Sequence, residues 1–517
     1  MNYNKAIKVA GFMAIITILT KFLGLMRDMV LAAYYSTGPE LTAFLAASKI
    51  PFTLFDITIG GVITAALIPV FNSILVEENK EKALKFANEY INLIIIFTSI
   101  LTVIGIIGAE SLMGFTLSGS DITEETRQLA VNLTRIMFGS IIFTGIAYSL
   151  VGILQSNGQF YIASILSLIS NGLVILYLFI KGNEASVYGL AVVMLIGWAM
   201  QVVIQAPSIY KYGYRYRPTL KVFTPEIKSA ILLSIPILIS SWAQPLSSLI
   251  NTKMASYLNG GSAVVALELA NRLYIVIAGI FGYVISNLAY PYLSKVGTLK
   301  DQGALKSLLR TLVKSITFII APIMVGLIIL AVPIVQLAYE RGNFTAQDSL
   351  LTGTALMACG FGMLAFSYNE ILNKTFYAMK NSKIPMYTAL IGMGVNIGLS
   401  MFLPKFFGIA GLGYAIAAGT TVTAILNFGM ISKKIKNVLG KEEFIEGIKI
   451  IVALCFMSIV TVIARNQIEP IFLKVVIPTL LGALTYLGIC LISKVSIMMM
   501  LIDFIKIKIK KGGNDGK

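Results

Sequence analysis

Hydrophobic residues along the chain are grouped into about fourteen long runs that are separated by short polar stretches. Each run is close to the ~20 residues that an α-helix needs to cross the bilayer core. The pattern predicts an all-α integral membrane protein with about fourteen transmembrane helices. These lie at about 7–34, 42–75, 86–109, 128–154, 160–180, 187–210, 227–257, 263–294, 309–333, 347–378, 385–403, 408–431, 445–464 and 471–493.

Basic residues are concentrated in the even-numbered loops, which follow helices two, six, eight, ten and twelve, and in the C-terminal tail. The odd-numbered loops are poor in Lys and Arg, and the loop after helix three is acidic. Because basic loops remain on the cytoplasmic side, the pattern predicts both termini in the cytoplasm and an even number of helices.

The longest basic linker separates two halves of six predicted helices. The halves resemble each other, because Lys49, Gly60 and Pro69 in helix two have the same spacing as Asn271, Gly282 and Pro291 in helix eight. A repeat of six-helix bundles is a transporter plan with the substrate site between the halves. We therefore predict an N-terminal lobe (1–210), a cytoplasmic linker (211–228), a C-terminal lobe (229–436), accessory helices thirteen and fourteen (437–497) and a basic tail (498–517).

Composition argues against an enzyme. The 517 residues are 57% hydrophobic and 13% charged, with a net charge of +17, three cysteines and no histidine. The chain therefore lacks the commonest metal ligand and general base, and it has no phosphate-binding loop or dinucleotide fingerprint. We predict a transporter with no metal or other cofactor, in which coupling to a monovalent cation stays open. Without an ATPase domain, uphill work would use the membrane potential or an ion gradient.

The first helix carries the main candidate site. Thr20, Lys21, Gly24, Arg27 and Asp28 share about a third of its circumference, while the other faces are apolar. A charge at mid-bilayer depth costs roughly 2.5–3.5 kcal/mol, so these side chains must face protein or water. The stripe predicts a cavity for an anionic substrate. The alternative is a Lys and an Arg that extend to the membrane surface, with Asp28 as a local partner.

Helix two is a candidate for bending. It contains Lys49, Pro51, Gly60 and Gly61. Proline removes a backbone donor, and the glycine pair loosens the helix, so Pro51, Gly60 and Gly61 are predicted hinge residues. The alternative for the glycines is close helix packing. Lys49 is a further candidate for contact with the substrate.

Helix eight supplies the counterpart in the second half. Asn271 and Arg272 follow the turn at 259–261, which places them partly inside the membrane. Arginine suits phosphate because its planar fork donates two parallel hydrogen bonds. An equally weighted alternative is an ion pair between Arg272 and Glu268, four residues earlier on the same helix.

Isolated polar residues occur in the later helices. Each is predicted to form an interhelical hydrogen bond, which is the default for a polar side chain in a bundle, while a cluster of them that binds a coupling cation stays open. They are Glu370, Asn373, Lys374, Asn396, Ser400 and Asn427.

Several motifs together resemble a known family. The run Thr20-Lys21-Phe22-Leu23-Gly24-Leu25-Met26-Arg27-Asp28 resembles the first-helix motif of the MurJ (MviN) lipid II flippases, which belong to the multidrug/oligosaccharidyl-lipid/polysaccharide exporter superfamily. Glu340-Arg341-Gly342-Asn343-Phe344-Thr345 resembles a second specific motif, Glu-Arg-Gly-x-Phe-Thr. Weaker agreements extend along almost the whole chain. This resemblance implies two six-helix lobes in a V-shaped bundle plus two C-terminal helices.

The resemblance also implies a function. Lys21, Arg27 and Arg272 would contact the diphosphate of lipid II in a central cavity, and Asp28 would help to arrange them. The protein would move the undecaprenyl-diphosphate-linked peptidoglycan precursor across the bacterial inner membrane by alternating access, with cell-wall synthesis proteins as potential partners. The chain departs from the family pattern at Lys21, where Arg is usual, and at Thr42, Phe55 and Ile275, where charged residues are common.

Three alternatives stay open. One is a flippase for another polyprenyl-diphosphate-linked oligosaccharide. A second is a drug/cation antiporter of the same fold, although that function would favour acidic cavity residues over a cationic stripe. The third is a membrane enzyme that acts on polyprenyl phosphates, for which Asp56 and Glu268 would be the only acidic candidates.

Overall fold

The computed structural model describes residues 3–159, 162–219, 221, 224–298, 302–379, 381–435 and 440–512. All regular elements in this part are helices. The chain forms two compact units. The first comprises Met1–Ala266 and Arg341–Thr345, and the second comprises Leu267–Glu340 and Ala346–Lys517. The predicted lobe boundaries stay a prediction. Parts of the predicted linker, accessory region and tail (220, 222–223, 436–439 and 513–517) lie outside the described residues.

The first unit contains eleven complete α-helices and the start of the twelfth. They are α1 (Tyr3–Tyr35), α2 (Pro39–Ser48), α3 (Ile57–Glu77), α4 (Lys80–Ile107), α5 (Ala109–Thr116), α6 (Glu124–Met137), α7 (Ser140–Ser156), α8 (Ile162–Lys181), α9 (Val187–Tyr212), α10 (Pro225–Ser241), α11 (Ala243–Ala255) and α12 (Ser262–Thr298). A π-helical segment, Lys49–Asp56, joins α2 to α3, and short 3₁₀ turns occur at Gly182–Glu184 and Asn259–Gly261.

The second unit contains the rest of α12 and nine further helices. They are α13 (Gln302–Tyr339), α14 (Ala346–Gly360), α15 (Met363–Ala378), α16 (Lys383–Phe402), α17 (Pro404–Phe407), α18 (Ile409–Lys434), α19 (Lys441–Gln467), α20 (Ile471–Ile492) and α21 (Ser496–Gly512). The basic tail predicted from the sequence is helical as far as Gly512.

Each of the fourteen predicted apolar segments coincides with one long helix or with consecutive shorter helical segments. In the described part, ten helices are long and apolar enough to cross a membrane, or eleven when α14 and α15, bent by 46°, count as one span. The chain is therefore a multi-pass, all-helical membrane protein. The first, second and seventh predicted segments contain side chains outside the described part, so the total of fourteen stays a prediction.

The segment that joins α9 to α10 is fixed against α4. Asn88 Nδ2 donates to the carbonyl of Arg217 over 2.6 Å, and Asn88 Oδ1 accepts from the Arg217 N–H at 2.8 Å. One turn later, Asn92 Oδ1 accepts from the Tyr216 hydroxyl at 2.9 Å. Because two asparagines of α4 satisfy backbone and side-chain groups of the connection, this part of the predicted linker has a defined path.

Helices α19 and α20 pack on α13. Phe318 of α13 lies in a buried cluster with Ile450 and Met457 of α19 and with Tyr486 of α20. The Tyr486 hydroxyl also donates to the carbonyl of Phe318 over 2.9 Å. The accessory pair that the sequence predicted is therefore an integral part of the hydrophobic core of the second unit.

Candidate functional site

The polar face of α1 is organised around Arg27. Its Nε and Nη2 donate to Asp28 Oδ1 over 3.0 and 2.7 Å, and its Nη1 donates to Asn171 Oδ1 of α8 over 3.0 Å. The two charged side chains are largely buried, with 18% of Arg27 and 7% of Asp28 exposed. Since three donors of the guanidinium are occupied, the positive charge is held in one place on the helix.

Gly24 lies on the same side of α1 as Arg27. A Cβ built on Gly24 would lie 3.8 Å from Asn171 Nδ2, which is ordinary van der Waals distance. Gly24 therefore faces the asparagine that holds Arg27, and the space there accommodates an alanine. The sequence analysis did not single out Asn171, because one amide in an apolar run does not show which residue it meets 144 positions away.

Thr20 and Lys21 are half-buried at the start of this face. The Thr20 hydroxyl donates to the carbonyl of Ile16 over 2.8 Å, so its donor is used within its own helix. Threonine commonly forms this bond in membrane helices because it removes an unpaired donor from the bilayer. Thr20 therefore offers a ligand only the acceptor capacity of its oxygen.

Lys49 and Pro51 lie in the π-helical segment between α2 and α3. Lys49 is buried, with 8% of the residue exposed. In the same segment, Phe52 stacks on Trp198 of α9 with ring centroids 5.4 Å apart. A π-helical stretch lacks the regular i→i−4 pattern, and such stretches frequently occur at functional sites. Gly60 and Gly61 follow in the first turn and a half of α3.

Arg272 lies in the second unit, on α12. Its Nη2 is 3.8 Å from Glu268 Oε1, and 40% of the Arg272 side chain is exposed. The ion pair with Glu268 that the sequence analysis gave as an alternative is therefore present, but it is long. The neighbouring Asn271 accepts from Cys359 Sγ of α14 over 3.7 Å, which fixes this part of α12 against α14.

The structure describes the side chains of two further positions at which the chain departs from the family pattern, Thr42 and Ile275. The Thr42 hydroxyl donates to the carbonyl of Gly261 over 3.3 Å within the first unit. Ile275 is 40% exposed on α12. The side chain of Phe55 lies outside the described part.

Asn427 of α18 is the centre of an amide network in the second unit. Its Nδ2 donates to Asn369 Oδ1 over 3.0 Å and to Asn373 Oδ1 over 3.3 Å. The Thr388 hydroxyl of α16 donates to Asn427 Oδ1 over 2.8 Å. The prediction of an interhelical hydrogen bond is thus confirmed for Asn373 and Asn427. The Ser400 hydroxyl donates to Asn396 Oδ1 on its own helix, at 2.9 Å.

The second family motif contacts the end of α1. The Asn343 N–H donates to the carbonyl of Ala33 over 2.8 Å, and Asn343 Nδ2 donates to the carbonyl of Tyr34 over 2.6 Å. Gly342 has a φ of +59°, and a Cβ there would lie 2.4 Å from Ala33 O. The close approach and the left-handed backbone both require glycine. This segment therefore caps the helix that carries Lys21 and Arg27.

The predicted site residues thus belong to two groups. Thr20, Lys21, Gly24, Arg27 and Asp28 lie on one helix of the first unit, where Asn171 joins them. Arg272 and Asn271 lie on α12 in the second unit. In the described part of the chain, no group of three or more His, Cys, Asp and Glu side chains is arranged to hold a metal ion.

Comparisons with known proteins agree with these observations. The family model for the lipid II flippase MurJ matches residues 6–482. A probable lipid II flippase MurJ of Bdellovibrio bacteriovorus is 30% identical over 440 residues, which cover 83% of each chain. The lipid II flippase MurJ of Burkholderia cenocepacia is 26% identical over 84% of each chain.

Solved structures show the same fold. A lipid II flippase MurJ in an inward closed conformation superposes with a TM-score of 0.78 and 25% identity, covering 93% of this chain and 98% of its own. An inward-facing multidrug transporter of the MATE family has a TM-score of 0.68 and 16% identity, over 82% of this chain and 98% of its own. The second similarity concerns the fold alone.

Proposed function

The chain belongs to the MurJ family of lipid II flippases, and we propose that it moves the undecaprenyl-diphosphate-linked peptidoglycan precursor from the inner to the outer leaflet by alternating access. It is a transporter rather than an enzyme. We place it in the bacterial inner membrane with both termini in the cytoplasm, in accord with its basic even-numbered loops.

The observation that carries the proposal is the buried group of Arg27, Asp28 and Asn171. A guanidinium deep in an apolar helix has a high free-energy cost, so its presence indicates a functional site. The guanidinium fork can bind either a carboxylate or a phosphate through two hydrogen bonds. In this conformation Asp28 occupies the fork. We infer that Asp28 holds Arg27 in position until a diphosphate oxygen replaces the carboxylate.

Lys21 and Arg272 complete the proposed binding set. Asp28 pairs with Arg27, and Glu268 pairs with Arg272 over a longer distance. Arg272 has a long ion pair with Glu268, and 40% of its side chain is exposed, so part of its guanidinium is accessible to a ligand. We propose that four further residues lie around the headgroup and support its binding, namely Lys49, Asn271, Thr20 and Gly24.

The conformational cycle is assigned to the two six-helix halves. The π-helical segment that contains Pro51, together with Gly60 and Gly61 in α3, is the proposed bending region. A positive potential outside the cell would favour the return of the empty, cationic cavity to the inside. Coupling to a monovalent cation gradient would add to this driving force, and direct contact with cell-wall synthesis proteins would supply the cargo.

The test is the amount of lipid II in the outer leaflet of cells that are depleted of their own flippase and carry this gene. Restored surface lipid II and growth are expected. The amount of surface lipid II should be strongly reduced by each of the variants Lys21→Ala, Arg27→Ala and Arg272→Ala. Arg135→Ala is the matched control for Arg272, because Arg135 is 39% exposed and also pairs with one carboxylate, Glu110, at 3.0 Å.

Two results would contradict the proposal. If the wild-type protein is stably made in the membrane and restores no surface lipid II, the cargo is a different lipid-linked sugar. If the three alanine variants transport as well as Arg135→Ala, the cations do not bind the diphosphate.

A further inference from the structure

A cavity of ≈ 390 Å³ lies in the second unit, where α13, α19 and α21 begin. Its walls carry charges of both signs, from Lys306, Arg310 and Lys314 of α13 and from Glu442 and Glu443 of α19. The three basic residues are four positions apart, which places them on one face of α13.

Glu443 neutralises part of this charge. Its Oε1 is 3.3 Å from Lys314 Nζ and 3.7 Å from Arg310 Nε, and only 6% of its side chain is exposed. Its Oε2 accepts from the Gly440 N–H at 2.7 Å, which caps α19. Glu443 thus has a structural role, and it fixes the positions of two cations on the cavity wall.

Three polar groups on the same wall have no partner within the described residues. Neither the ammonium of Lys306 nor the carboxylate of Glu442 makes an ion pair or a side-chain hydrogen bond there. The Ser496 hydroxyl is buried and makes no hydrogen bond. A buried hydroxyl without a partner costs about 1–3 kcal/mol. The cavity therefore presents to a ligand one buried hydroxyl without a hydrogen bond, one half-buried ammonium and one exposed carboxylate.

A second cavity of ≈ 210 Å³ adjoins the first, because Lys314, Glu443 and Ile497 line both. Its other walls are mainly apolar and include Val313 and Ile450. A polar chamber beside an apolar chamber matches an amphiphile better than a free solute. The pair of cavities lies at the N-terminal ends of the candidate spans Gln302–Tyr339 and Lys441–Gln467.

We propose that these cavities bind a zwitterionic phospholipid whose headgroup carries a phosphate and a primary ammonium. The phosphate accepts from Lys306 and Ser496, and the ammonium donates to Glu442. The start of an acyl chain enters the apolar chamber. A headgroup that carries a phosphate and no ammonium would be repelled by the negative charge of Glu442, and a quaternary ammonium has no N–H to donate. The expected preference is therefore for phosphatidylethanolamine over phosphatidylcholine and phosphatidylglycerol.

Binding to the purified full-length chain in detergent is the test, with native mass spectrometry of the three phospholipids as the readout. Phosphatidylethanolamine should bind about tenfold more tightly than phosphatidylglycerol, which corresponds to one charge-assisted hydrogen bond. Lys306→Gln and Ser496→Ala should weaken binding of all three lipids. Lys433→Gln, on an exposed part of α18, is the matched control and should leave binding unchanged.

Glu442→Gln is the decisive variant. This variant should weaken the binding of phosphatidylethanolamine and strengthen the binding of phosphatidylglycerol. Misfolding cannot produce changes of opposite sign. Equal binding of the two lipids to the wild type, or the same affinities for Lys306→Gln and Lys433→Gln, would overturn the proposal. Glycerophosphoethanolamine, which has no acyl chains, should compete poorly. If it competes as well as the lipid, the ligand is a soluble phosphate ester and the lipid assignment is wrong.

Discussion

Arg27 on α1 and Arg272 on α12 carry the same charge in very different settings. Arg27 is 18% exposed and pairs with Asp28 at 2.7 Å, with Asn171 as a further acceptor. Arg272 is 40% exposed, and its ion pair with Glu268 measures 3.8 Å. Arg27 is held by two close partners, whereas Arg272 has a longer ion pair and a more exposed side chain. We therefore expect Arg27 to be held more firmly than Arg272.

The largest expected effect is the loss of stability and of transport when Arg27 is replaced, and a double variant separates these two losses. Arg27→Ala should lower the free energy of unfolding by roughly 3–5 kcal/mol, because the buried Asp28 carboxylate loses its 2.7 Å ion pair with Arg27. Thermal unfolding in detergent measures this loss. The double variant Arg27→Ala/Asp28→Asn removes the uncompensated charge, so it should regain most of the stability but not the transport of lipid II. If transport returns with stability, Arg27 serves folding alone.

A charge-conserving exchange tests the comparison directly. Arg27→Lys keeps the charge but loses the fork that bonds Asp28 and Asn171, so transport should fall about tenfold. Arg272→Lys should disturb a weaker interaction, because the ion pair of Arg272 with Glu268 is long and partly exposed. Transport should therefore fall by about threefold or less. Both are measured as surface lipid II per unit of protein. Equal losses of transport at the two positions would contradict the expectation that Arg27 is held more firmly than Arg272.

Hydrophobic patterning predicted where the helices lie but not where they break. The run at 128–154 becomes α6 and α7, with Phe138 and Gly139 between them, and the run at 42–75 is interrupted by a π-helical segment. One interruption covers two residues and the other covers eight, and both lie inside runs that are apolar overall. Turns at that scale depend on packing between helices, which one sequence does not reveal.

For the candidate site, charge in an apolar helix was the informative signal. It identified Lys21, Arg27 and Asp28, and helix spacing identified the pair of Arg272 with Glu268 as an alternative. Asn171 and the contact of Asn343 with α1 were missed for the same reason. Their partners are 144 and 309 positions away, and a neutral amide has no periodic or charge pattern that identifies its partner.

Asn171 determines how firmly the first cation is held. Asn171→Ala removes one acceptor from Arg27 and should weaken cargo binding about fivefold, which corresponds to ~1 kcal/mol. Asn171→Asp keeps the acceptor and adds a negative charge near the guanidinium. It should preserve the thermal stability of the wild type while weakening diphosphate binding further than alanine does. Tighter cargo binding in Asn171→Asp would contradict the placement of the diphosphate at Arg27.

The smallest expected effect lies at the end of α1, and it tests whether the whole helix shares the fixed character of Arg27. The last four carbonyls of α1 are satisfied by Ser36 N–H, Gly38 N–H and two donors of Asn343. Asn343→Asp keeps the size of the side chain but replaces its donor with a carboxylate beside the carbonyl of Tyr34. Local stability there should fall by about 0.5–1.5 kcal/mol, seen as faster amide exchange at 33–38.

Asn132→Asp is the control for this change, because Asn132 is a half-buried asparagine of the same unit whose side chain donates to the Tyr188 hydroxyl over 3.2 Å. It should leave exchange at 33–38 unchanged. If Asn343→Asp also accelerates exchange around Arg27, the cap and the buried ion pair stabilise α1 as one cooperative unit. If exchange stays slow there, the contacts with Asp28 and Asn171 hold the cation on their own, and the fixed character belongs to the site rather than to the helix.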